Sequence, residues 1–121
     1  MSERDGLDWH FYLDDMIAFA EKALAYTESL DRAGFLADVR TYDATLRNLE
    51  LIGEAATHIP ESFREQCPHI PWRQVIATRT RPIHGYLGID DDTRWSIVQD
   101  DVPDLVRELR LARASLSDNP S

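Results

Sequence analysis

The chain has 121 residues, 43% of them apolar, and a formal net charge of -9 from 13 basic and 22 acidic side chains. Its length fits one domain, read here as residues 1–121 with a core over about 8–116, and its apolar content excludes global disorder. The acidity argues against a general nucleic-acid coat, the lone Cys67 excludes an intramolecular disulfide framework, and no stretch approaches the ~20 apolar residues that cross a bilayer, so a cytoplasmic, non-membrane setting is expected.

Helical periodicity runs through the chain. Trp9, Leu13, Met16, Ile17, Ala20 and Leu24 recur three or four apart and predict a helix from near Asp8 to before Ser29. Asp31 to Ala37 follows as a short helix or loop. Tyr42, Leu46, Leu49, Gly53 and Ala56 then step by four, three, four and three, a bundle seam on a helix from about Asp38 to His58 that Pro60 closes. A short helix is expected at Glu61 to Gln66. Pro71 suits the first turn of another, carrying Trp72, Val75 and Ile76 toward Ile83.

The Asp90–Asp92 run predicts helix capping by Asp91 or Asp92. Trp95, Val98, Val102, Leu105, Leu109, Ala112 and Leu116 form a last seam. Pro103 interrupts it, which predicts a bend or a restart capped by Asp100 or Asp101. Ser117 to Ser121 is expected to fray. No segment holds strand period for long. The fold class is all-α, an antiparallel bundle of four to five helices.

One eight-residue stretch stands out: Arg79-Thr80-Arg81-Pro82-Ile83-His84-Gly85-Tyr86. From Gln66 to Ile89 there is no acidic residue, while Arg73, Arg79 and Arg81 fall there, a basic island on an acidic body. A guanidinium grips phosphate with two parallel hydrogen bonds, and an imidazole moves protons near neutral pH. Each residue also has a plain reading: Arg79 and Arg81 as solvated arginines, His84 as a cation at a helix C-terminus, Tyr86 as a core aromatic. On a straight helix Arg79 and His84 stand ~140° apart. A bend at Pro82, or a second subunit, has to bring them together. His10, His58 and His69 lack metal-ligand spacing with one another or with Cys67, and no phosphate-loop or dinucleotide glycine pattern occurs. No metal and no cofactor is expected.

The pattern Arg79-x4-His84-x-Tyr86 resembles the signature of HEPN-domain toxins of the HepT type. Further blocks are similar to that family: Arg47-Asn48-Leu49-Glu50-Leu51-Ile52-Gly53-Glu54-Ala55, Pro71 to Ile76, Leu87 to Asp90, and Trp95 to Pro103. The resemblance covers about Asp8 to Leu116. It implies a HEPN-like helical bundle that forms a homodimer with the two signature segments facing each other. It implies a toxin of a toxin–antitoxin pair, a metal-independent endoribonuclease acting on tRNA or mRNA, with Arg79 and His84 catalytic. Its partner would be a nucleotidyltransferase-fold, MntA-like antitoxin that transfers AMP onto Tyr86.

Arg81, Arg73 and Thr80 are expected to support RNA binding. Thr80 stands where the family often has Asn, and Pro82 where it often has an aliphatic residue; both bear on the level of activity more than on the fold. Glu54 and Asn48 are read as structural, bonding across the bundle. Two further readings stay open: a non-catalytic partner and modification substrate of a nucleotidyltransferase, and a nucleotide-binding bundle.

Overall fold

The computed structural model describes residues 9–79 and 91–117. Seven helices and one π-helical turn account for most of them: α1 (His10–Thr27), α2 (Arg32–Ala37), α3 (Val39–Ala56), α4 (Glu61–Gln66), α5 (Trp72–Ala77), α6 (Asp91–Ser96), the π turn (Ile97–Asp101) and α7 (Val102–Ser117). Among the described residues there is no strand, and no helix is long and apolar enough to cross a membrane. The fold is an all-α bundle, as the periodicity predicts; among the described residues three helices are long and shorter ones flank them.

Aspartates set two of the helix starts. Asp31 accepts from the Gly34 amide at 2.8 Å and begins α2, which settles the segment left as helix or loop. Asp38 accepts from the Thr41 amide at 3.2 Å and from its hydroxyl at 2.9 Å, beginning α3 one residue later. These bonds occupy amides that the first helical turn leaves without partners. They also hold the Asp38 carboxyl below its usual range, the Thr41 amide being the largest cause.

α1 is central. It packs on α3 and on α7, and its contacts fix their directions. Tyr12, at the start of α1, meets His58, just past the end of α3, so the two run antiparallel. Arg113 pairs with Asp14 at 2.8 Å and Arg110 with Glu21, so α7 is antiparallel to α1 as well. The buried core takes Leu13, Met16 and Ala20 from α1, Leu49, Ile52 and Ala56 from α3, and Val102, Leu105 and Leu109 from α7. Full burial of an aliphatic side chain contributes ~1.5–3 kcal/mol, so these seams carry most of the driving force. Of the expected stripes, Trp9, Ile17, Leu24, Tyr42, Leu46, Trp95 and Leu116 are only partly buried, whereas residues off them such as Ala23, Asn48, Ile52, Ala55 and Val106 are buried.

The C-terminal half departs from expectation at Pro103. The chain neither restarts there nor uses an aspartate cap. Ser96 and Val102 both keep helical backbone angles, and the Val102 amide reaches back five residues to the Ile97 carbonyl. The turn widens just before the residue that has no N–H to give, which lets the helix continue. Asp100 instead accepts from the Ser96 hydroxyl at 3.2 Å.

Asp92 also differs from its expected capping role. It is the second residue of α6 and forms an ion pair with Arg32 of α2. This ties α6 to a corner where Phe35 meets Tyr42 and Trp95, each at 5.1 Å between ring centres. Asp90 and the tail beyond Ser117 lie outside the described residues.

Candidate functional site

α5 brings the first signature residue into place. It starts after Pro71, ends at Ala77, and gives way to a turn over Thr78 and Arg79 rather than running on toward Ile83 as far as the described residues go. Two contacts enforce that ending. The Thr78 hydroxyl lies 2.6 Å from the Val75 carbonyl and 2.9 Å from the Leu49 carbonyl of α3. Gly53 of α3 faces the same turn, and a β-carbon there would stand 2.8 Å from the Val75 oxygen. Only a glycine lets the two helices meet this closely. The turn is therefore docked against α3, and Arg79 is set where α3 ends.

The guanidinium of Arg79 is half exposed, with Nη1 3.8 Å from Oε1 of Glu54. The other oxygen of that carboxylate, Oε2, lies 3.6 Å from Nε2 of His58. His58 in turn stacks on Tyr12, with ring centres 4.4 Å apart and planes 15° from parallel. Beside them, His10 stands edge-on to Trp9 at 4.4 Å, and Trp9 leans on Phe63 at 4.9 Å. One end of the bundle thus gathers an arginine, a carboxylate, two histidines and three further aromatic rings. The C-terminal end of α3 adds a partial negative charge that favours cations here.

The Arg79–Glu54 pair is exposed and not tightly closed, so it is worth ~0–1 kcal/mol. That weakness matters chemically. A phosphate offers guanidinium two charge-assisted hydrogen bonds and can displace so loose a partner. By contrast, the apolar groove of about 630 Å³ on the other side of Thr78, between α5 and α7, carries Asp101, Asp104 and Glu108. Three carboxylates repel a polyanion.

Of the residues the sequence singles out, Arg79 and Arg73 are described. Arg73 is exposed on the first turn of α5, ~9 Å along the helix from Arg79 at 1.5 Å per residue. Thr80, Arg81, His84 and Tyr86 lie outside the described residues. Asn48 is structural, though within its own helix: it is buried and donates to the Ala44 carbonyl at 2.9 Å. Glu54 is half exposed; one of its oxygens reaches Arg79 across the bundle and the other faces His58. His58 and Tyr12 were not singled out by the sequence as site residues. The usable signal was the spacing of Glu54 and His58, which puts them on one helical face four residues apart. Nothing in the local sequence pairs Tyr12 with a residue 46 positions away.

Cys67 stays outside this cluster. Burial, and secondarily the charge of Glu108, pushes its thiol above the ordinary cysteine value, which disfavours the nucleophilic thiolate.

The profile of the family described as "Ribonuclease HepT-like" matches residues 16–112. "Putative RNase MJ1380" of Methanocaldococcus jannaschii is 35% identical over 111 residues, 92% of this chain and 99% of that protein. "Probable ribonuclease HepT" of Thermococcus cleftensis is 38% identical over 94 residues, 78% of this chain and 86% of that one. No solved structure matches. With the family profile spanning α1 to α7 and Arg79 set at the docked turn, the chain belongs to the HepT-like ribonuclease family.

Proposed function

We propose that the chain is the toxin of a toxin–antitoxin pair and a metal-independent endoribonuclease, acting through Arg79 and His84. The observation that carries this reading is the Arg79 guanidinium, half exposed, set at the turn docked against Gly53, whose ion-pair partner among the described residues is an exchangeable carboxylate. That carboxylate is a partner a phosphate displaces.

In the proposed reaction, His84 takes the proton of a ribose 2′-hydroxyl. The 2′-oxygen attacks the adjacent phosphorus, and Arg79 stabilises the charge that grows on the phosphoryl oxygens. The bond to the 5′-oxygen breaks, that oxygen takes up a proton, and the products carry a 2′,3′-cyclic phosphate and a 5′-hydroxyl. One imidazole does not serve both proton transfers at once. A homodimer presenting two copies of His84 supplies the second. Arg81 and Arg73 add positive field along the backbone, and Thr80 offers a hydrogen bond.

Silencing follows from the same chemistry. Transfer of AMP from ATP onto the Tyr86 hydroxyl by a nucleotidyltransferase-fold antitoxin, with release of pyrophosphate, sets a phosphate and a bulky base two residues from His84. The added phosphate competes for Arg79.

The test is incubation of total RNA with purified, unmodified protein in EDTA, beside His84→Ala and Arg79→Ala, resolved on a denaturing gel. Discrete products that survive EDTA and need both residues support the reading. Absence of products from an unmodified, dimeric protein overturns it in favour of a non-catalytic partner of the antitoxin.

A further inference from the structure

Resting on that reading, we propose that the Tyr12–His58 stack is a nucleobase subsite, which holds one unstacked RNA base beside the phosphate gripped by Arg79.

Three observations meet here. First, His58 and Arg79 contact the two oxygens of one carboxylate, at 3.6 Å and 3.8 Å, so imidazole and guanidinium stand a single carboxylate apart. Phosphate and base alternate along a strand at a similar short range. Second, Tyr12 covers one face of the imidazole, and yet the His58 side chain remains 48% exposed. With Tyr12 on one face, the opposite face is the one a base would stack on. Third, the ring is met from two sides. Tyr12 lies beneath it, half-buried against the core, and Glu54 flanks its Nε2 edge at 3.6 Å. A ring already ordered loses little conformational freedom when a base stacks on it.

Proteins that recognise single-stranded RNA splay bases out and stack them on aromatic or histidine rings, because every base has a π-face. A site that grips phosphate with one arginine on an acidic body (net charge -9) has little long-range attraction for RNA. Stacking supplies affinity that this charge balance withholds, and it selects unpaired segments.

The experiment uses full-length protein and a short single-stranded RNA spanning a mapped cut. Abasic nucleotides are placed in turn on either side of the scissile phosphate. Wild type, His58→Ala and His58→Phe are compared for kcat and KM. His58→Ala should raise KM about tenfold, the mid-range for loss of one stacked base, with kcat largely kept. One abasic position should cost wild type the same factor and cost His58→Ala nothing further. His58→Phe, which stacks but transfers no proton, should restore KM. Equal abasic penalties in wild type and His58→Ala overturn the proposal, and so does a His58→Phe that behaves like His58→Ala. If wild type cuts no RNA, the ribonuclease reading falls by itself. Fluorescence anisotropy with the same oligonucleotides then decides the subsite, and equal affinity of wild type for intact and abasic strands overturns it.

Discussion

A β-carbon on Gly53 would stand 3.0 Å from the backbone nitrogen of Arg79. The glycine of one helix thereby fixes the position of the arginine that follows another. The two residues are 26 apart in sequence and touch through backbone alone.

Replacing Gly53 with alanine sets two effects against each other. Alanine gains ~1 kcal/mol of helix propensity over glycine. The new methyl also collides with the Val75 carbonyl at 2.8 Å, and overpacking of this kind costs ~1–3 kcal/mol. Two of the three nearest atoms are backbone, the Val75 oxygen and the Arg79 nitrogen, and cannot rotate away, so the collision wins. Gly53→Ala should lower the thermal midpoint modestly and reduce RNA cleavage by more than the lost stability explains. Full activity in a folded Gly53→Ala protein would show that the docking does not set Arg79.

Glu54→Gln separates phosphate binding from stability. Its partners are exposed, so thermal stability should change by no more than ~0.5 kcal/mol. Arg79 then loses the carboxylate that an incoming phosphate has to displace, so KM for RNA should fall, by no more than about fivefold, with kcat largely kept. An unchanged KM would make Glu54 a bystander.

The Asp38 cap carries a pH signature. Its carboxyl is held below its ordinary value of 3.8, mainly by the Thr41 amide. A lowered folded-state value means the stabilisation is fully present above the ordinary carboxylate range and fades as pH falls through it and below. Thermal midpoints of wild type and Asp38→Ala should therefore differ at neutral pH and converge in acid, below 3.8. A constant gap across that range counts against the cap.

Thr45 of α3 is fully buried, and its hydroxyl finds no hydrogen-bond partner among the described residues. Leaving a hydroxyl unpaired in the core costs ~1–3 kcal/mol. Thr45→Val keeps the branched shape and removes the hydroxyl, so calorimetry should show a gain of ~1 kcal/mol. A lower midpoint would mean the hydroxyl has a use.

Cys67 should alkylate with iodoacetamide more slowly than free glutathione at neutral pH, since burial raises its thiol. Glu108→Gln should speed the reaction modestly by removing the second cause.

Much of this was legible in the sequence because helices write themselves locally. The seams at Leu49–Gly53–Ala56 and Val98–Val102–Leu105–Leu109 repeat at the helical period and are buried as expected. The glycine in the first seam gave its place but not its reason, since the docked turn comes 25 residues later. Pro103 marked an irregularity correctly, while its form, a widened turn in place of a capped restart, depended on whether neighbouring backbone could absorb the missing donor. The Arg79 signature was visible as a motif. The Tyr12–His58 stack was not, because it joins the start of one helix to the end of another and follows only from their antiparallel packing.

The widened turn at Ile97–Asp101 also works as a phase shifter. One helical residue is ~100° of rotation, so a single extra residue in the turn sets the azimuth of α6 independently of α7. α7 can face Val102, Leu105 and Leu109 inward while α6 swings Trp95 onto Phe35 and Asp92 onto Arg32. The described residues that flank 80–90 are thus each tied down, Arg79 by Gly53 and Asp91 by the helix it opens. Deleting Gln99 alone would leave the composition of the core unchanged and turn α6 out of register. Loss of activity in such a variant, with the helical content intact, would trace to a rotation rather than to any missing side chain.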